Sequence, residues 1–301
     1  PDLWEQLLEE SLRSSEQGSQ CFPQVAGRPF GLLIGLQTHH AFAKRPTFAA
    51  YAHLPHEELV AKLKQPQVRS SILKEEDTPT DPAILFDGMA RLVQAMTHRL
   101  YPLGKIPDYE PAPDQSIVAI AERTGASPLE VLYDYMLEDG GYAMAMMPIF
   151  NYVNGNHDAI REMLLHPQAV SGLSDGGAHC GMICDASIPT FMLSHWARDR
   201  SRGEKLPLEW VVKKQTNDTA TLYGLTDRGI IKEGKRADLN VIDFTTLNLS
   251  GPKMVHDLPA GGRRLLQEAT GYDYTIVAGQ ITRKQGQDTG LRPGRLIRGA
   301  K

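Results

Sequence analysis

Val170-Ser-Gly-Leu-Ser-Asp-Gly-Gly-Ala-His-Cys-Gly-Met-Ile-Cys-Asp185 is the stretch on which the fold turns. Its short apolar run stops at Ser174 and Asp175, and glycines at 176, 177 and 181 follow with His179 between them. Clustered glycines carry too much backbone freedom for a helix, so the chain is expected to leave a strand here and enter a loop. An acid where a buried strand ends is how parallel α/β folds present a reactive side chain to substrate, water or metal. Asp175 is therefore the first candidate for chemistry. The plain alternative is an Asp-Gly turn whose carboxylate only satisfies backbone N–H groups.

Upstream of this stretch, Asn156 or Asp158 is expected to cap a helix carrying Ile160, Met163 and Leu164, and residues 143–150 read as a buried strand. Helix signals dominate residues 55–137. Asp81-Pro82 reads as a helix start for the stripe Met89, Leu92, Val93 and Met96. Ile117, Ile120 and Ala121 form another stripe, closed by Gly125. Ser127-Pro-Leu-Glu130 is a capping box with proline at the first helical position. Toward the N-terminus, Leu3, Trp4, Leu7 and Leu8 suggest an amphipathic helix. Residues 21–26 suggest a strand, Gly27-Arg-Pro29 a turn, and residues 30–36 a second extended segment. Residues 37–46 show no periodicity and are expected to be a surface loop. Downstream, residues 189–196 and 208–215 read as helices, and 219–223 as a short helix closed by Gly224. From Arg228 the texture becomes β-rich, with an alternating strand at 237–243 and a hairpin around Ala278-Gly279.

The 301 residues, 41% hydrophobic and 23% charged, suit a globular protein of one large domain, or a large and a small one. A net charge of −4 without basic runs argues against a nucleic-acid partner. No apolar run reaches the roughly 20 residues needed to cross a bilayer, so no membrane partner is expected. Three cysteines, an odd and small number, favour a reducing cytoplasm over a disulfide framework.

Several of these residues together resemble a known family. The motif Leu173-Ser-Asp-Gly-Gly-Ala-His179 is followed in order by Asn217-Asp-Thr-Ala220, Gly224-Leu225, Asp227-Arg-Gly-Ile-Ile231 and Ala237-Asp-Leu-Asn-Val-Ile-Asp243. This series is similar to the C-terminal half of metal-dependent amidohydrolases. Pro23-Gln-Val-Ala-Gly-Arg-Pro29 and Thr289-Gly-Leu-Arg-Pro-Gly-Arg-Leu-Ile-Arg-Gly299 resemble the D-aminoacylase, or N-acyl-D-amino-acid deacylase, branch. The resemblance implies an α/β fold: the C-terminal part of a (β/α)₈ (TIM) barrel over residues 1–226, with a helical insertion at about 51–140, and a small β-sandwich domain over 227–301. It implies hydrolysis of the amide of an N-acyl-(D-)amino acid or similar linear amide. A zinc-activated water would attack, with Asp175 as general base and metal ligand.

The sequence also departs from the family pattern. None of its ten histidines forms the His-x-His pair that would put two imidazoles on one strand face. A complete barrel typically needs about 250 residues. The chain is therefore expected to be a C-terminal fragment, inactive by itself, whose partners are the missing N-terminal half with most zinc ligands, a small-molecule amide substrate and, as an open option, a second copy in a homo-oligomer. Arg28 and His179 are candidate substrate-binding residues; a salt bridge and a structural histidine are their plain alternatives. His179, Cys180, Cys184 and Asp185 form one ligand-rich motif where structural zinc usually wants two. Arg198 to Arg202 read as a solvated helix end, and Arg263-Arg264 as surface residues. The family's carboxylate-gripping arginine has no counterpart in Asp185-Ala-Ser-Ile-Pro189. This leaves open a cyclic-amide hydrolase of the dihydroorotase or hydantoinase kind, and a non-catalytic subunit.

Overall fold

The computed structural model describes residues 2–172, 174 and 177–298. The architecture is mixed α/β. Strand β1 (Gln24–Ala26) lies parallel to the strand that precedes the Gly-rich loop, here numbered β5 (Val170–Gly172), with Ala26 opposite Gly172. Nearly the whole intervening chain is an excursion between these two strands. It contains β2 (Gly31–Ile34), β3 (Tyr101–Pro102) and β4 (Ala145–Pro148), which form one antiparallel sheet in the order β2-β4-β3. β4 is buried along its whole length because it is the middle strand and is covered on both faces.

Eight α-helices of the described chain precede β5. They are α1 (Leu3–Glu16), α2 (Pro46–Tyr51), α3 (His56–Leu63), α4 (Pro66–Lys74), α5 (Met89–Ala95), α6 (Ile117–Thr124), α7 (Pro128–Met136) and α8 (Asp158–Leu165). Local chemistry sets several of their ends. Gly125 closes α6 at φ +71°, a left-handed conformation that favours glycine. Ser127 and Glu130 exchange capping bonds at the start of α7. After β5 the chain forms α9 (Ile188–Phe191), which continues as wider π-type turns over Met192–Asp199, then α10 (Leu208–Lys213) and α11 (Thr219–Leu222).

The remaining strands all lie downstream: β6 (Leu239–Ile242), β7 (Asn248–Leu249), β8 (Lys253–Leu258), β9 (Gly262–Leu266), β10 (Ala269–Thr270), β11 (Tyr272–Val277), β12 (Gln280–Lys284) and β13 (Gln287–Asp288). They pair as a β13-β12-β11-β6 sheet, a β8-β9 hairpin and a β10-β7 pair, all antiparallel.

Two apolar cores result. One joins the helices of the excursion to Leu32, Ile34, Ala145 and Met147. The other joins β1 to α8, α9 and the π-type turns through Val25, Ile160, Leu164, Met192 and Trp196. No helix is long and apolar enough, among the described residues, to cross a membrane.

Three expectations need correction. Residues 37–46 are not a surface loop: His40, Ala41, Phe42 and Arg45 are buried, and Thr38 Oγ1 donates to the Leu33 carbonyl at 2.7 Å, closing the turn internally. The helix expected from Pro82 begins only at Met89, because Asp81 Oδ1 accepts the Ala83 N–H and holds a turn instead. Arg200 is not solvated at a helix end; it is 2% exposed and ion-paired.

Candidate functional site

The parallel pair β1–β5 brings two of the loops singled out by sequence to neighbouring strand ends. Beyond β1 the chain passes through Gly27, where a Cβ would lie 2.3 Å from Met192 Sδ and would require that side chain to move. Arg28 follows and is 2% exposed. Its Nη1 donates to Ser187 Oγ at 3.1 Å, its Nη2 donates to the Cys184 carbonyl and lies 3.3 Å from Asp185 Oδ1, and its guanidinium lies 3.9 Å from the Tyr109 ring centroid. Arg28 thus ties the β1 loop to the segment that follows the Gly-rich loop.

Asp175, with its neighbours Leu173 and Gly176, lies outside the described residues. His179 is exposed, has φ +47°, and meets the edge of Phe86 at 5.8 Å. Phe86 also has positive φ, +65°, and meets His39 at 5.9 Å. A bulky residue in that region is strained, so surrounding contacts must hold the Phe86 turn in place. Cys184 is buried, and burial pushes its thiol up to about 11, leaving it a small core residue rather than a nucleophile. His179, Cys180, Cys184 and Asp185 do not converge as metal ligands; among the described residues only one group of three does, and it lies elsewhere.

That group is Glu110, His157 and His195, contributed by the loop after β3, the residue before α8, and the π-type turns. Glu110 and His157 are buried and His195 is half-buried. Glu110 Oε2 lies 3.0 Å from His195 Nε2 and 3.7 Å from His157 Nδ1, and Oε1 accepts the His157 backbone N–H at 2.7 Å. Arg200 grips the same carboxylate with both ends of its fork, Nε to Oε2 at 3.1 Å and Nη2 to Oε1 at 2.9 Å, and reaches Asp158 Oδ1 at 2.6 Å. Burial works to raise the Glu110 carboxyl, but hydrogen bonds from His195 and Arg200 and the nearby charge hold it well below the usual carboxylate range. Burial keeps the His157 ring neutral, with its pKa lowered to about 3. This cluster was not foreseen in the sequence, because its members are separated by up to 85 residues and no local spacing links them.

Among known proteins, the model of an amidohydrolase family matches residues 8–283 of this chain. No curated protein matches it. Similar solved structures include a D-aminoacylase crystal structure said to define a novel subset of amidohydrolases, at 23% identity and a TM-score of 0.36, covering 65% of this chain and 37% of that one. A second concerns the binuclear metal center of D-aminoacylase, at 22% identity and a TM-score of 0.34, with the same coverage of 65% and 37%. A third is a D-aminoacylase mutant in complex with copper chloride, at 19% identity and a TM-score of 0.36, covering 80% of this chain and 46% of that one. The chain spans less than half the length of each of these structures.

Proposed function

Because the chain belongs to the amidohydrolase family, we propose that it supplies the last two strands, β1 and β5, of a (β/α)₈ barrel that hydrolyses a linear amide, in the manner of an N-acyl-D-amino-acid deacylase. The observation that carries this proposal is the parallel β1–β5 pairing, in which Ala26, two residues before Arg28, lies opposite Gly172, three residues before Asp175 in the sequence. Barrel enzymes assemble their chemistry at that end. The strands from residue 239 onward are the small β domain of this scheme.

The donor set at the strand ends fits the family's metal only in part. Asp175 offers a hard carboxylate oxygen by its residue type, and among the described residues the group Glu110, His157 and His195 is the one set of three that converges. On this proposal the other ligands lie outside these 301 residues. A divalent metal, zinc in the usual case, acidifies a bound water and polarises the scissile carbonyl. The chain's own part is carried by Asp175. Its carboxylate takes a proton from the attacking water and returns it to the leaving amine nitrogen as the C–N bond breaks. His179, exposed beside Phe86 on the same loop, is assigned to substrate orientation. Arg28 is assigned to holding the two loops together, and through them the substrate.

Hydrolysis of N-acyl-D-amino acids, their L-isomers and cyclic imides, measured on the 301-residue chain and on the longest polypeptide that contains it, tests the proposal. Cleavage of the linear D-substrates by the longer polypeptide, lost on chelation and restored by zinc, is expected. Preferential opening of the cyclic substrates would replace it with the cyclic-amide alternative. Full activity of the 301 residues alone would show that no outside ligands are needed.

A further inference from the structure

The Glu110–His157–His195 cluster holds an unresolved conflict between acceptors. His157 Nε2 lies 2.9 Å from the Tyr109 carbonyl, so that nitrogen carries the ring proton and donates it. In a neutral ring the other nitrogen, Nδ1, then presents a lone pair. This Nδ1 is buried, has no hydrogen-bond partner among the described residues, and lies 3.7 Å from Glu110 Oε2. A lone pair and a carboxylate oxygen therefore face each other with no donor between them. His195 Nε2 lies 3.0 Å from the same oxygen.

We propose that Glu110, His157 and His195 form a binding site for a divalent cation of the zinc class, built from residues that do not include Asp175. The three donor atoms lie within 4.8 Å of one another. Ligands bound at about 2.0–2.1 Å to a tetrahedral zinc sit about 3.3 Å apart, so shifts of a fraction of an ångström to about 1.5 Å close the site. Two imidazoles and one carboxylate suit zinc, cobalt(II) or iron(II) better than calcium or magnesium. The outer contacts are those a metal site requires. A metal-bound histidine donates its far N–H to a backbone carbonyl, as His157 does to Tyr109, and a bound carboxylate is itself held by donors, as Glu110 is by Arg200 and the His157 N–H.

Arg200 does not cancel the site. It contacts the carboxylate on lone pairs that the cation does not need, and it shares its charge with Asp158. Glu110, Asp158 and Arg200 thus sum to one negative charge. A cation held by His195 Nε2 requires the tautomer of that ring with its proton on Nδ1. Glu110 and His195 also line a cavity of about 300 Å³, which gives a water room to complete the coordination.

The test is a cobalt(II) titration of the chelator-stripped full chain, followed by visible absorption, bound cobalt per chain and melting temperature, on the wild type, His195→Gln and Asp175→Asn. The wild type is expected to bind one more cobalt than His195→Gln, with a low-coordination visible band and a raised melting temperature, and Asp175→Asn is expected to keep that band. An equal cobalt content and spectrum in His195→Gln would overturn the site. So would loss of the band in Asp175→Asn, which would put the cobalt at the strand ends. Nitrogen-15 NMR of the stripped wild type gives a readout that needs no variant: an unprotonated His157 Nδ1 is expected, and a proton bonded there would show that a proton, not a metal, resolves the conflict.

Discussion

His40 shows how a single buried side chain makes stability depend on pH. It is 3% exposed, packed against Phe48 with ring centroids 4.5 Å apart, and its Nδ1 accepts the Phe42 N–H at 3.2 Å. Burial, and secondarily the neighbouring His39, lower its pKa from 6.5 to about 3. The folded protein therefore resists protonation of this ring more than the unfolded chain does. The stability this provides is present above the unfolded value of 6.5 and is lost as the pH falls toward about 3. The loss amounts to about 1.4 kcal/mol per pH unit. Urea unfolding at pH 7, 6 and 5 is expected to show a shallower acid slope in His40→Gln than in the wild type, by about that amount below pH 6. Equal slopes would show that His40 is already protonated or exposed. His40 is adjacent to His39 in the sequence, so the two lack the His-x-His spacing of a metal pair. Its burial follows from the closure of residues 37–46 onto the helical core, which no local pattern announces.

At the scale of elements, what was legible in the sequence is what neighbouring residues decide. The capping box Ser127–Glu130, the Gly125 stop, the short helix before Gly224, the buried strand at Ala145–Pro148 and the hairpin around Ala278-Gly279 are each set within a few residues and appear as expected. Long-range pairings were not legible. β2 pairs with β4 across more than a hundred residues, and Glu110, His157, His195 and Arg200 come together from segments up to 90 residues apart. Ser127→Ala is expected to lower stability by about 1 kcal/mol, because the Glu130 N–H loses its acceptor at the helix start. Gly31→Ala is expected to cost more, about 1–3 kcal/mol, because its Cβ would lie 2.6 Å from the Met147 carbonyl oxygen and the β2–β4 pair would have to spread. Thermal unfolding of the two variants checks the order; a neutral Gly31→Ala would mean that the pair is looser than its register shows.

At the scale of the whole molecule, the chain is two parallel strands separated by a large helical excursion and followed by antiparallel sheets. Arg28 joins the loop after β1 to the segment 184–187, and the Glu110–Arg200 pair joins the excursion to the helices that follow β5. Membership of the amidohydrolase family rests on a match across nearly this whole span. The motif that signalled it in the sequence, Ser174 to His179, contains the residue on which the proposed chemistry depends. The buried cluster was invisible there because its residues carry no shared motif. The most direct test of the central claim is the turnover of an N-acyl-D-amino acid by Asp175→Asn, in the longest active polypeptide, set against the melting temperature of the same variant. A general base typically contributes about 10²–10⁴-fold, so a fall in kcat of at least that lower order with an unchanged melting temperature is predicted. A kcat within a few-fold of the wild type would contradict the account, because Asp175 would then be only a turn residue.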